Sequence, residues 1–275
     1  MRCLPIFVTI LLLGCHHERP RAPADAPVRR IVSLAPSTTE TLFALGVGDR
    51  LVGVDQFSDY PPAARTLPRV GNELAPSVER ILALRPDLVF AAESANTREL
   101  VEQLQKLGLR VVVSHIETLD DVWRDLVSIG AAVGRQDAAA KLVADGRARL
   151  AAVAKAVAGQ PRPRTLVVVW TEPLTVAGGH TFVDEAIAVA GGDDVAGDSP
   201  VPYPQYSLER LLARAPEVII VGSHAQAPSL SPLEAQTTLP AVRNHRLHAL
   251  DGDLLFRPGP RLVDGIEQLA KLVHP

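Results

Sequence analysis

Fifteen residues of this chain occur twice. The segment Ser77-Val-Glu-Arg-Ile-Leu-Ala-Leu-Arg-Pro-Asp-Leu-Val-Phe-Ala returns 130 residues later as Ser207-Leu-Glu-Arg-Leu-Leu-Ala-Arg-Ala-Pro-Glu-Val-Ile-Ile-Val, with six positions identical and most others exchanged like for like. Each copy reads as a short helix opened by a capping serine, a proline break and a buried strand. The spacing is too wide for a solenoid and fits a duplicated domain. A chain with one copy in each half is expected to fold into two similar lobes, and two facing lobes make a cleft.

The stretches around the repeat keep the same style. Arg30 to Ala35, Leu51 to Gln56, Asp87 to Ala92 and Val111 to Ser114 read as strands in the first half, with helices between them. Thr165 to Trp170 and Arg246 to Leu250 read as strands in the second half, and His180 to Ala190 and Leu262 to Val273 as helices. Strands apolar throughout and alternating with helices predict parallel sheets covered on both faces. Ser37-Thr38-Thr39-Glu40 has the spacing of a capping box. Thr118 to Gln160 is helical in pattern with a break at Gly134, and Asp137 is placed to cap the second part. That part is read as a rigid strut of about 33 Å at 1.5 Å per residue. Gly146 inside it is expected to cost about 1 kcal/mol relative to alanine. The fold expected is α/β, two Rossmann-like lobes with mostly parallel sheets joined by a long rigid backbone helix. The divisions are a leader over 1–15, a tether over 16–28, an N-terminal lobe over 29–134, the interlobe helix over 135–160 and a C-terminal lobe over 161–275.

Arg2 and the apolar run Leu4 to Leu13 make an export signal too short to be a stable membrane span. It ends in Leu12-Leu13-Gly14-Cys15, the pattern of a lipoprotein cleavage box, so Cys15 is the expected lipidation site. Residues 16–27, rich in Pro, Arg and Ala, read as a flexible tether, and the His16-His17 pair within it as exposed tether residues.

A net charge of -3 offers no basic surface for nucleic acid. The sequence has no phosphate-binding loop, nucleophile elbow, dinucleotide fingerprint or catalytic cysteine motif, so an exported enzyme on the same fold is the weaker alternative. Asp193-Asp194 reads as a polar turn after a helix stop. His115, His180, His224, His245 and His248 form no metal motif, and neither a metal nor a cofactor is expected. Of the eleven aromatics, Phe57, Tyr60, Trp170, Tyr203, Tyr206 and Phe256 fall in loops after strands or at strand ends. Ligands of open α/β sheets bind outside the carboxyl ends of strands, and aromatic faces there suit a large flat ring such as a corrin or porphyrin. In Arg257-Pro258-Gly259-Pro260-Arg261 two arginines are held by prolines; either could bond ligand carboxylates, phosphate or carbonyls, with Arg257 the better candidate and Arg261 alternatively the start of the final helix. Glu79 and Glu209 hold equivalent places in the repeat. A first-turn carboxylate is favoured by the helix dipole, and two matching rim carboxylates also suit a two-fold symmetric partner.

The opening RIVSLAPSTTE, the Asp59-Tyr60-Pro61-Pro62 loop, the repeated S-x-E-R-x-L-A unit, the central helix and Val201-Pro202-Tyr203-Pro204-Gln205 resemble the helical-backbone class of ABC-transporter substrate-binding proteins. The resemblance runs from about Arg29 to His274. That class binds cobalamin, haem and iron siderophores, and the likeness is greatest to its cobalamin binders. It implies a monomeric receptor, anchored outside the cytoplasm, that delivers a corrinoid to a permease dimer. Tyr60, Tyr203, Trp170, Phe57, Phe256 and Arg257 would line the ligand site, and Glu79 and Glu209 would meet arginines of the permease. Haem or a ferric siderophore is the alternative ligand, with Tyr60, Tyr203 or His224 as an axial group for haem. Tyr203 stands where the cobalamin binders carry one tryptophan, and Glu73 near where they carry another.

Overall fold

The computed structural model describes residues 27–72, 75–223 and 230–275. The leader, Cys15, the histidine pair, Glu73 and His224 lie outside the described residues. The first half runs β1 (Ile31–Ser33), α1 (Pro36–Ala44), β2 (Leu51–Val54), α2 (Val78–Ala83), β3 (Leu88–Ala92), α3 (Arg98–Lys106) and β4 (Val111–Ser114). Its four strands lie in the order β2-β1-β3-β4, all parallel. Two long helices follow, α4 (Leu119–Val133) and α5 (Gln136–Val157). The second half runs β5 (Arg164–Thr171), β6 (Leu174–Val176), α6 (Phe182–Val189), β7 (Asp193–Asp194), α7 (Leu208–Arg214), β8 (Val218–Ser223), α8 (Ser231–Glu234), α9 (Pro240–Arg243), β9 (Leu247–Asp251), α10 (Gly252–Leu255) and α11 (Leu262–Val273). There β6-β5-β8-β9 form the sheet, and β7 pairs with the start of β5.

Alternation along the strands explains why both faces are covered. In the first sheet Ile31, Leu88 and Phe90 enter one core, whereas Val32, Val89 and Ala91 enter the other. In the second sheet Val167, Val218 and Ile220 point one way and Leu166, Ile219 and Val221 the other. A period of two with every position apolar is what a doubly covered parallel sheet requires.

The repeat is also a repeat in three dimensions. Ser77 and Ser207 cap α2 and α7 by accepting from the amides of Arg80 and Arg210, at 3.3 and 3.2 Å. Ile81 and Leu211 are buried beneath them. Arg85 and Ala215 both leave the helix with positive φ, 46° and 40°, and each precedes a proline, which disfavours continued right-handed helix at that residue. Asp87 and Glu217 then accept from the amides of Arg30 and Arg164 at the entry to β1 and β5, both at 2.9 Å.

The bridge between the lobes is made by both long helices. Leu119, Val122, Trp123 and Leu126 of α4 pack into the C-terminal core, and Ile129 and Val133 of the same helix into the N-terminal core. α5 divides likewise, with Ala139 in the N-terminal core and Leu150 in the C-terminal one. Arg149 of α5 ties this helix to α11 by donating to Glu267 at 2.8 Å and to Asp264 at 2.6 Å. Gly146 is buried, and a Cβ there would lie 2.8 Å from the Trp123 ring. The glycine is therefore a packing requirement, which propensity alone does not reveal.

Three local expectations differ from the structure. The Ser37–Glu40 capping box does not form, because α1 begins at Pro36 with Ala35 as its N-cap and without a side-chain bond. Glu40 is instead buried and turned to the other lobe. The capping box lies at Thr118, whose side chain and Asp121 bond reciprocally. α5 has Arg135 as its N-cap, so Asp137 is a first-turn acid and not a cap. The short elements β6, β7 and α8 to α10 lacked any periodic signal. Among them, Asp193 and Asp194 pair with Arg164 and Thr165 and are not a free turn.

Candidate functional site

All parallel strands of a lobe end on one edge, so the loops after them gather there. The loop after β2 is the most constrained. Asp55 is fully buried; it accepts from the amide of Phe57 at 2.7 Å and, through a very short bond, from the hydroxyl of Ser58. The Ser58 hydroxyl also meets that of Thr39 at 2.7 Å. Arg69 closes the loop by donating to the carbonyls of Asp55 and Ser58, at 2.9 and 2.7 Å. Burial pushes the Asp55 carboxyl above its usual range, with the bonds from Ser58 and Phe57 opposing. The loop is thus built from within, and it presents Phe57 and Tyr60 outward.

In the other lobe Trp170 is the last residue but one of β5, and its partner across the β5–β6 hairpin is Thr175. Thr175 in turn bridges to Gln205, and the amides of Val176 and Gly178 donate to the carbonyls of Pro204 and Pro202. Residues 202–205 therefore run beside β6 and carry Tyr203. Phe57, Tyr60, Trp170 and Tyr203 are 43% to 50% exposed. Partial desolvation raises the Tyr203 phenol above its usual value.

The remaining aromatics behave differently. Tyr206 is buried in the C-terminal core, and Arg210 stacks on its ring at 4.3 Å. Phe256 is half-buried against the C-terminal core, with its ring over Gly222, where a Cβ would come within 2.0 Å. Gly222 makes room for that ring.

Arg257 follows β9 and α10 and points across to the first lobe. It donates to Glu40 at 3.2 Å, to Asp59 at 2.8 Å and to the carbonyl of Phe57 at 3.3 Å, and pairs with Asp253 at 3.0 Å. Arg261, at the start of α11, grips Glu40 through two bonds of 2.7 and 2.6 Å and lies 3.8 Å over the Tyr60 ring. Nothing in the local sequence marked Glu40 for this role, and Arg261 was legible only as one of two arginines held by prolines. Their partners are more than 200 residues away, and the capping-box spacing offered a nearer explanation.

Glu79 and Glu209 are both exposed, at the second position of their helices. The Ser207 side chain and the helix amides hold the Glu209 carboxyl below its usual range. His115 pairs with Glu93 at 2.5 Å at the exposed end of β4, and that carboxylate raises the imidazole. Among the described residues no group of three or more His, Cys, Asp or Glu is placed to hold a metal ion. Nor is any helix among them long and apolar enough to cross a membrane.

Residues 31–254 match the family model described as periplasmic binding protein. The chain belongs to that family. It is 36% identical over 268 residues to the vitamin B12-binding protein of Vibrio cholerae serotype O1, covering 97% of this chain and 94% of the relative. The same name is borne by a Yersinia pseudotuberculosis relative, 34% identical over 251 residues, covering 90% and 87% of the two chains. Among solved structures, the periplasmic vitamin B12 binding protein of Vibrio cholerae superposes with a TM-score of 0.79 at 34% identity, covering 90% of this chain and 97% of that one. The apo periplasmic heme-binding protein of Roseiflexus sp. RS-1 superposes with a TM-score of 0.80 at 31% identity, covering 90% and 98%. These relatives are binding proteins, and membership places the work of this chain outside the cytoplasm.

Proposed function

We propose that this family member captures cobalamin in the crevice between its lobes and hands it to the permease dimer of an ABC importer. The observation that carries the reading is the set of four exposed aromatic side chains, two per lobe, on loops and strand ends at the carboxyl edges of the sheets. A corrin ring presents a wide apolar surface with amide groups at its rim. Aromatic faces bury such a surface, and the polar ends of Tyr60 and Tyr203 meet the rim, with Phe256 closing the wall and Arg257 lining the site through its hold on Asp59 and the Phe57 carbonyl. The vitamin B12-binding relatives, similar over nearly the whole chain, support the corrinoid. Glu79 and Glu209 are the two docking carboxylates, one per lobe, each met by an arginine of the two-fold permease. Cys15 carries the lipid that holds the protein on the extracytoplasmic side of a bacterial membrane, and the protein works as a monomer whose lobes are joined by α4 and α5 together.

The test is titration of the soluble chain, begun after Cys15, with cyanocobalamin, haemin and ferric siderophores in a calorimeter. Saturable one-to-one cyanocobalamin binding is expected. The heme-binding structural relative makes haem the second reading; tight haemin binding with no response to cyanocobalamin would replace the first.

A further inference from the structure

We infer that Glu40 is the positioning residue of the crevice: it holds Arg257 and Arg261 of the opposite lobe so that these arginines set the place of Phe57 and Tyr60. The inference rests on the crevice being the ligand site proposed above, yet it concerns a residue outside the ring of ligand contacts. The geometry is specific. Glu40 sits on α1 with only 4% of its surface exposed. It accepts two bonds from Arg261, in a side-on grip, and one from Arg257. A planar guanidinium held at two points has one orientation, and the fork of Arg261 then lies on the Tyr60 ring. Arg257, steadied by the same carboxylate, reaches Asp59 and the carbonyl of Phe57. Both N-terminal aromatics are thereby referred to a fixed point in the C-terminal lobe. Gly259, between the arginines, comes close to the backbone of Ser37, where a Cβ would stand 3.3 Å from the carbonyl oxygen. The loop therefore lies flat on the start of α1, and the contact spans backbone as well as side chains.

A bond between two lobes that needs no ligand makes the crevice preformed, which lowers the ordering cost of capture. A structural tie alone would hold the lobes without caring how Tyr60 lies. Three variants separate the roles: Glu40→Gln, Arg261→Lys and Tyr60→Ala. Arg261→Lys keeps the charge but loses the two-point grip, so it remains informative if Glu40→Gln fails to fold. Cyanocobalamin affinity is expected to fall about tenfold in Arg261→Lys, and the loss in the double variant with Tyr60→Ala should be well short of the product of the two single losses. A ligand-free measurement accompanies it, nitration of tyrosines by tetranitromethane mapped by mass spectrometry. Tyr60 should react several times faster in Arg261→Lys than in the parent chain, while Tyr203 keeps its rate. Unchanged Tyr60 reactivity, or losses of affinity that simply add, overturns the positioning role. If the parent chain holds neither cyanocobalamin nor haemin, the proposed function falls while the nitration contrast still decides this one.

Discussion

Arg30 and Arg164 make the same contact in the two halves of the molecule. Arg30 donates to the carbonyl of Leu84 at 2.6 Å, and Arg164 through a very short bond to that of Arg214. These carbonyls close α2 and α7 at equivalent points of the repeat, where a helix end leaves acceptors unsatisfied. The duplicated unit thus extends beyond its fifteen residues to the arginine that opens the neighbouring strand. Replacing either arginine with alanine should cost about 1 kcal/mol, as for exposed charge-assisted bonds. The two losses should add, since the sites share no partner. Urea midpoints of the single and double variants measure this, and a double variant no worse than one single would refute it.

Gly146→Ala is expected to destabilise, although helix propensity alone predicts the reverse. The new methyl would enter the Trp123 ring at 2.8 Å, and that ring is fixed in the C-terminal core. Overpacking of this kind costs about 1–3 kcal/mol. Chemical denaturation of the variant decides the sign.

Stability should fall as pH rises from about 4 to about 7, in part through Asp194. Burial, aided by the neighbouring Asp184 carboxylate, pushes its pKa from 3.8 up to about 7. The folded chain then binds a proton that the unfolded chain has released, so the contribution is complete below the unfolded value and lost through the folded one. Asp194→Asn keeps an acceptor for the amide of Ala196 and should flatten the slope over that window. Denaturation at pH 5 and pH 8 compares the two chains; equal slopes would remove Asp194 from the account.

Tyr60→Ala and Tyr203→Ala should each weaken cyanocobalamin binding by about ten- to a hundredfold, the range for aromatic anchors. Both rings are over two-fifths exposed, so Tm should change little. Calorimetric titration beside a melting curve tests the pair of statements. Loss of affinity only in step with loss of folding would count against ligand contact.

Reversing Glu79 and Glu209 together to arginine should abolish uptake in cells while ligand affinity stays at the parent value. Rim charges govern encounter and orientation, and both side chains are exposed. Uptake measured alongside binding by the purified chain separates docking from capture; normal uptake by the double variant would dismiss the docking role.

Much of the fold was legible in the sequence because it is local. The repeat, the apolar strands, the proline breaks and the glycine stop at Gly134 act over a few residues, and each appears where its pattern lies. The candidate site was legible in part for the same reason: Phe57 and Tyr60 follow β2 and Trp170 stands near the end of β5, whereas Tyr203 is brought beside β6 only by the pairing of residues 202–205. Their exposure agrees with that placement. Phe256 and Arg257 were singled out by position also, but their surroundings were not legible. Gly222 receives the first, and the second spends its donors on Glu40, Asp59 and Phe57.

By itself, then, the sequence determined two duplicated α/β halves, helices between them, and aromatics at the strand ends. Hydrophobic period, capping and proline chemistry operate between near neighbours and need no knowledge of the whole. The tertiary structure alone decided that α4 joins α5 in both cores, that Gly146 exists for Trp123, and that Glu40 faces two arginines some 220 residues away. A carboxylate three residues after a serine looks like half of a capping box until a folded partner stands nearer. Only packing brings that partner, and burial then makes the pairing obligatory, because an unpaired charge out of water costs more than any local bond returns.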